Sequence, residues 1–345
     1  MARERRASPR WARLTDEELL DLRFCDLGLE IRGSALERRV AQLYDELARR
    51  GLRFRPHCWL AEEWFSPDRV PGIAIPFFLA HPRLAMLEYR QMFDVEGGTD
   101  GASMRLLRHE AGHAIDSGFR LHERKRWQQV FGNPKKPYPA SYTPRPQSRR
   151  FVLHLEWWYA QSHQAEDFAE TFAVWLRPRA QWRKTYTDWP ALEKLEYVDE
   201  LMRSIEGRAA RVRSRRQVES VSRLRTTLRE HYEAKRRRHE IEVPEVYDRD
   251  LLRLFGDPGV AEHDRAVGAA SFLAREQADL CRDCSRGTGE HPYAIAQILR
   301  EMTLRCRELE LRVHRPLDEV RIDVAIFLSV QTVNYLHDAH HRIPM

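Results

Sequence analysis

The stretch RLLRHEAGHAID, Arg105 to Asp116, constrains this chain more than any other. In an α-helix, residues four apart lie about 40° apart around the axis and about 6 Å along it. The imidazoles of His109 and His113 then point to the same side. Glu110 stands about 100° further round from His109. Two imidazoles and one carboxylate leave a tetrahedral zinc one open position for water. A neighbouring carboxylate, here Glu110, can act on that water as general base. Ala111 and Gly112 are small, as a helix packed closely beneath such a site requires. With fifteen histidines in the chain, the same letters also arise by chance. In that case the pair is a hydrogen-bonded feature of a polar helix.

A third ligand has to come from another element, and QAEDFAETFAVWL supplies candidates. Glu166 and Glu170 are one helical turn apart on one face. Phe168, Phe172, Val174 and Leu176 make the rest of that helix suited to burial. Two carboxylates on a buried face are costly unless a cation or hydrogen bonds compensate them. The alternative is that both face water, against which the small neighbours Ala165, Ala169 and Ala173 argue. Spacing favours Glu166 as ligand over Glu170. His163, His154 and His122 are rivals by proximity alone. Asp116, one turn beyond His113, orients a loop or ligand, or is an exposed acid.

Around these helices the chain reads as mixed. A capped helix starts after Thr15, and apolar residues recur at helical spacing at Leu36, Val40, Leu43 and Leu47. LRFRPHCWLAEEWF and GIAIPFFLA have the texture of strands. LAMLEYRQMF reads as helix, EGGTDGA as loop, and 103–119 as the helix carrying the motif. FGNPKKPYPASYTPRPQSRR is a proline-rich basic loop whose Lys135, Lys136, Arg145, Arg149 and Arg150 could border the cleft and favour acidic substrates. Further helices begin near Gln164 and at Pro190, which suits a first turn. From Gly207 the chain is dense in arginine, with Val218, Val221, Leu224, Leu228 and Tyr232 placed on one expected helical face. The remainder reads as helical, broken at FGDPG and SRGTGEHPY, with His340 and His341 as surface residues near the C-terminus.

HEAGHAID followed by EDFAETFAVWL resembles the gluzincin metallopeptidases, in which two histidines of one helix and a glutamate of the next bind zinc. The resemblance lies nearest to a bacterial group of zinc-binding metallopeptidases and, more distantly, to the lethal-factor-type toxin proteases. It is specific between about Ser103 and Leu176 and extends, with WYAQSHQAEDFAETFAVWLRP, over about 59–205. It implies His109, His113 and Glu166 as ligands of one zinc ion, with Glu110 as general base. It makes Glu170 the carboxylate that receives the other N–H of a ligating histidine; thermolysin-like enzymes carry aspartate there. Tyr159, seven residues before Glu166, matches a tyrosine that in the toxin proteases is held to donate to the oxyanion. Aromatic packing within LEWWYA is the simpler reading of that tyrosine. By analogy with the family, a strand such as GIAIPFFLA could pair with an extended peptide.

The expected architecture is therefore α+β. A zincin-like metallopeptidase domain occupies 1–206, and an all-helical, arginine-rich C-terminal domain occupies 207–345. The expected activity is zinc-dependent hydrolysis of peptide or protein substrates. The competing reading is a non-catalytic metal-stabilised scaffold that binds an acidic partner or nucleic acid through arginine-rich helices. The Cys281–Cys284 pair lacks the second pair of a zinc ribbon and ends a helical pattern, so structural or incidental use is expected. No apolar run is long enough to span a bilayer, and the basic opening lacks the apolar core of a secretory signal. Five scattered cysteines fit a reducing compartment, so a cytoplasmic protein is expected.

Overall fold

The structure, a computed structural model, describes residues 9–239, 248–256, 267–336 and 343–344. His340 and His341 lie outside the described residues. The fold is α+β, helical over most of its length with small two-stranded sheets.

The chain forms two compact units. The first holds the described residues through Leu87, then Val95–Arg229, then the short terminal strand; the second holds Glu88–Asp94 and the described residues from Glu230 to 336. The division thus falls after Arg229, not after residue 206. The reason is physical. Residues 207–227, expected as helix, contain none. They are stitched to the first unit by non-local hydrogen bonds. Val212 N–H donates to the Gly118 carbonyl, Trp59 Nε1 to the Val218 carbonyl, and Val221 N–H to the Leu60 carbonyl.

In the first unit, α1 (Asp16–Leu20) opens with a reciprocal cap between Thr15 and Glu18. α2 (Ala35–Arg49) buries Leu36, Val40, Leu43 and Leu47 along one stripe. β1 (His57–Ala61) pairs in parallel with β2 (Gly72–Pro76), placing Trp59 opposite Ala74. The β2 edge facing away from β1 has no N–H left to offer. Gly72 N–H goes to Val70, Ala74 N–H to Phe65, and Pro76 has none. The expectation that GIAIPFFLA adds a peptide strand is corrected by that coverage, and its second half is a 3₁₀ turn, Phe77–Ala80.

α3 (Pro82–Met92) runs across the division between the units. α4 (Asp100–Phe119) starts three residues earlier than its apolar pattern suggests, because Thr99 Oγ1 accepts from Ala102 N–H. α5 (Lys125–Phe131), α6 (Gln164–Leu176), α7 (Trp182–Thr185) and α8 (Ala191–Ser204) complete the unit. β3 (Ser141–Tyr142) pairs antiparallel with β4 (Ile343–Pro344). α4 and α6 are packed face to face. A Cβ on Gly112 would lie 2.8 Å from the Ala169 Cα, so only glycine permits this approach. The buried pair of Arg108 with Glu46, at 2.7 and 2.8 Å, ties α4 to α2.

In the second unit, α9 (Leu228–Arg238), which starts at the division, is followed by α10 (Asp248–Phe255), α11 (Ala269–Thr288), α12 (Pro292–Glu308) and α13 (Leu317–Leu336). α10 to α13 share a core that includes Leu254, Phe272, Leu280, Ile298, Met302 and Val324. No described helix of the chain is long and apolar enough to cross a membrane.

Candidate metal centre

α4 and α6 bring four of the expected side chains to one point. His109 is buried and His113 half-buried, with ring centroids 4.9 Å apart. Opposite them, α6 is capped by His163, whose Nδ1 accepts from Ala165 N–H. This cap starts the helix so that Glu166 and Glu170 both face inward, at 4% and 0% exposure.

The three nearest donor atoms form an almost equilateral triangle. His109 Nε2 and His113 Nε2 are 3.1 Å apart, and Glu166 Oε2 lies 3.0 Å from the first and 3.1 Å from the second. Zinc bonds of about 2.0–2.1 Å at tetrahedral angles set donors about 3.3–3.4 Å apart. Closing the observed triangle around such an ion needs only a few tenths of an ångström. Among the described residues this is the one such group of metal-ligating side chains.

The chemistry of the donor set also fits a cation. His109 Nδ1 lies 2.8 Å from Glu170 Oε1, and Leu155 N–H donates to Glu170 Oε2 at 2.8 Å. With its proton held on Nδ1 toward Glu170, His109 turns the Nε2 lone pair to the centre. Glu166 is fixed from its other side, where the Tyr138 hydroxyl donates to Oε1 at 2.8 Å. Three electron pairs then converge, an arrangement that requires a proton or a metal between them. Protons compete for the same place. Burial alone would depress His109, but Glu166 and Glu170 outweigh it and hold its pKa well above the ordinary histidine value. His113 is raised in the same sense: burial opposes, and Glu166 prevails. Burial would raise the Glu166 carboxyl, yet His113 and His109 hold it well below the usual range.

Glu110 is buried beside this triangle, and its Oε2 accepts no hydrogen bond from the protein. Ser66 Oγ donates to its backbone carbonyl at 3.0 Å, fixing this turn of α4. Burial raises the Glu110 carboxyl, against the pull of His109 and His113. A buried carboxylate oxygen with nothing to bind is an expensive feature.

Tyr159 packs against the His109 ring at 5.7 Å between centroids. It is delivered there by a strained turn in which Trp157 and Trp158 both take left-handed φ, 61° and 55°. Such conformations cost about 1–2 kcal/mol per residue, and the Tyr142 hydroxyl braces the turn by donating to the Trp157 carbonyl at 2.9 Å.

The rival histidines are engaged elsewhere. His163 spends both nitrogens, on the α6 cap and on the Lys136 carbonyl at 2.8 Å. His154 Nε2 meets the Arg105 carbonyl, and His122 meets Asp116. Of the readings open for Asp116, a loop, a ligand or an exposed acid, the His122 contact matches the first. The chain turns at Arg120, with φ 52°, and brings His122 back so that its N–H and Nδ1 occupy both Asp116 oxygens at 2.8 Å. Asp116 therefore fixes the exit from α4.

Sequence reasoning missed Tyr138, the Leu155 amide and Ser66. The only local signal for Tyr138 is its place between Pro137 and Pro139, which hold the backbone extended. It also stacks on His163 at 3.8 Å, so the basic proline-rich loop does border the centre. A cavity of about 1140 Å³ lies elsewhere along α4, lined in part by Arg105, His154, Arg177 and Tyr186. None of the three donors lines it. Comparison of this chain with protein-family models, with curated proteins and with solved structures finds no match.

Proposed function

We propose that this centre holds one zinc ion and that the chain is a zinc-dependent hydrolase of peptide or amide bonds, with a zincin-like arrangement of α4, α6 and the small sheet. The observation that carries the reading is the donor triangle of His109, His113 and Glu166 with the unpaired Glu110 oxygen buried beside it. When bound, zinc supplies Lewis acidity and lowers the pKa of water to about 7. The chain's own groups do the rest. Glu110 accepts the proton of the attacking water and returns it to the leaving amine. Glu170 keeps the His109 ring oriented, and Tyr138 holds the Glu166 carboxylate from behind. Tyr159, whose phenol burial and Glu166 keep protonated, is the hydroxyl available to stabilise an oxyanion. His163 is not available for that task, since both its nitrogens are used.

The positive loop carrying Lys135, Lys136 and Arg145 favours acidic segments in a peptide or protein substrate. The five unpaired cysteines support a reducing, cytoplasmic setting as part of the same proposal.

The test is Glu110→Gln in the full chain, assayed on a general peptide library with metal content measured in parallel. The variant should keep its zinc and lose about 10²–10⁴-fold in turnover. Undiminished turnover would remove the base, and a wild-type protein without zinc would remove the proposal.

A further inference from the structure

The arginine-dense stretch GRAARVRSRRQV, 207–218, has five arginines and no acidic residue. It was expected as a helix with an apolar face, and it is neither. Arg211, Arg213 and Arg215 are exposed, while Val212 and Ser214 between them are half-buried. That alternation is the period-two pattern of an extended chain. Alternate side chains of such a chain project to one side about 6.5–7 Å apart.

A second row lies beside the first. In LRFRP, Arg53 and Arg55 are exposed while Leu52, Phe54 and Pro56 are buried. The two rows meet at Gly118, where an added Cβ would lie 3.0 Å from Phe54 and 3.5 Å from Ala210. At Tyr44 they meet again. The Arg55 guanidinium lies 5.6 Å from its ring, and Arg55 and Arg215 both act on its hydroxyl.

The strip is also held rigidly. Val212 N–H donates to Gly118, the His57 ring meets the Arg216 carbonyl at 3.0 Å, and Trp59 donates to the Val218 carbonyl at 2.8 Å. None of Arg53, Arg55, Arg211, Arg213 and Arg215 forms an ion pair with a described residue. Some other arginines of this unit are paired, as Arg39 with Asp100, Arg126 with Glu200 and Arg229 with Asp21. Like charges fixed side by side repel, and the fold supplies nothing to offset it. A polyanion laid along the rows would be attracted to several of these charges at once.

We propose that these two rows form a binding surface for the phosphate backbone of a nucleic acid. The residue type is arginine throughout, whose planar fork engages phosphate in a bidentate manner. The spacing is about twice the 3.4 Å rise at which one duplex strand sets its phosphates. Aromatic side chains do not interleave with the arginines, so bases are not stacked and binding is independent of sequence. The surface is separate from the zinc centre and does not depend on it.

The experiment uses the full chain and a labelled DNA duplex of about 20 base pairs, read by fluorescence anisotropy across a salt series. Removing three phosphate contacts in Arg211→Gln/Arg213→Gln/Arg215→Gln should weaken binding at least about 10-fold and flatten the slope of log K against log salt by about 3. A variant of matched charge loss at exposed arginines outside the strip, Arg10→Gln/Arg13→Gln/Arg32→Gln, should bind as the wild type does. Equal losses in both variants would mean a general charge effect and overturn the proposal. So would an unchanged affinity in the strip variant. Tighter binding to polyglutamate or to phosphatidylserine vesicles than to the duplex would overturn it in favour of an acidic protein or a membrane surface.

Discussion

Two helix pairs in this chain carry a sequence pattern that suggests metal, and they treat it in opposite ways. In the first unit, α4 against α6 buries His109, Glu110, Glu166, Asp167 and Glu170. In the second, α11 against α12 buries Cys281, Cys284 and Cys306 among Leu280, Ile298, Leu299 and Met302. The first pair concentrates groups that are costly to desolvate and turns the donor atoms of His109, His113 and Glu166 toward one another. The second buries its thiols as small apolar groups. Burial pushes the Cys281 thiol up to about 12, and the Cys284 thiol donates to the Ala325 carbonyl at 3.4 Å. Spacing alone does not separate the two motifs. What separates them is whether the surrounding residues supply further ligands and outer partners.

The largest effect expected on this contrast comes from Glu166→Ala. Wild-type protein should carry one zinc per chain by elemental analysis, and the variant should carry none, because two imidazoles alone leave half the coordination open. Full zinc in the variant would move the third ligand elsewhere and make the observed triangle incidental. A smaller step in the same direction is Glu170→Gln. It removes the charge that His109 Nδ1 faces at 2.8 Å while leaving the three donors in place. Loss of such an outer partner typically weakens metal binding about 10–100-fold, which competition with a chelator of known affinity would read.

These two residues were legible in the sequence because a helix fixes which side chains share a face, whatever surrounds it. His109, Glu110 and His113 on one segment, and Glu166 and Glu170 on another, needed no more than the 3.6-residue period. What the period cannot encode was missed. Tyr138 reaches Glu166 across 28 residues through a loop, and Leu155 contributes a backbone amide, which has no side-chain signature. Sequence left Asp116 open between a loop, a ligand and an exposed acid, and the turn at Arg120, which returns His122 to it, selects the loop. The arginine-rich stretch misled for a related reason. Arginine is a good helix former, so composition favoured a helix. The conformation was set instead by hydrogen bonds to Gly118, His57 and Trp59, all more than 90 residues away in the chain. Those bonds also moved the division between the units from residue 206 to Arg229.

The histidines sharpen the comparison by pH. His109 and His113 are raised by carboxylates, whereas His291 in the second unit is lowered by burial and by neighbouring cationic side chains. Burial, with His239 stacked at 4.0 Å and Lys235 adding charge, pushes its pKa down to about 3. Its Nδ1 accepts from Tyr293 N–H and caps α12, which needs the neutral ring. Since the folded value lies below the unfolded value of about 6.5, the unfolded chain binds the extra proton between them. The stability contributed by neutral His291 is therefore complete above pH 6.5 and is lost as the pH falls toward 3. The limiting slope for one group is about 1.4 kcal/mol per pH unit. His291→Asn keeps a good capping side chain without the titration. Its unfolding free energy should fall less than that of the wild type between pH 7 and 4 in urea titrations, and parallel curves would show that His291 carries no such linkage.

The smallest effect, and the one that bears most directly on the contrast, is Cys281→Ala/Cys284→Ala. Each substitution removes one buried heavy atom and leaves a small void, so the cost should be about 1 kcal/mol per site, at the low end for core truncations. Zinc content should not change, because among the described residues neither thiol belongs to a group of three ligating side chains and burial holds both protonated. Urea unfolding read beside elemental analysis separates the two quantities in one preparation. A fall in bound metal without loss of the His109 centre would mean that the second helix pair also binds an ion, and that the apolar surroundings of the thiols are no guide to their use.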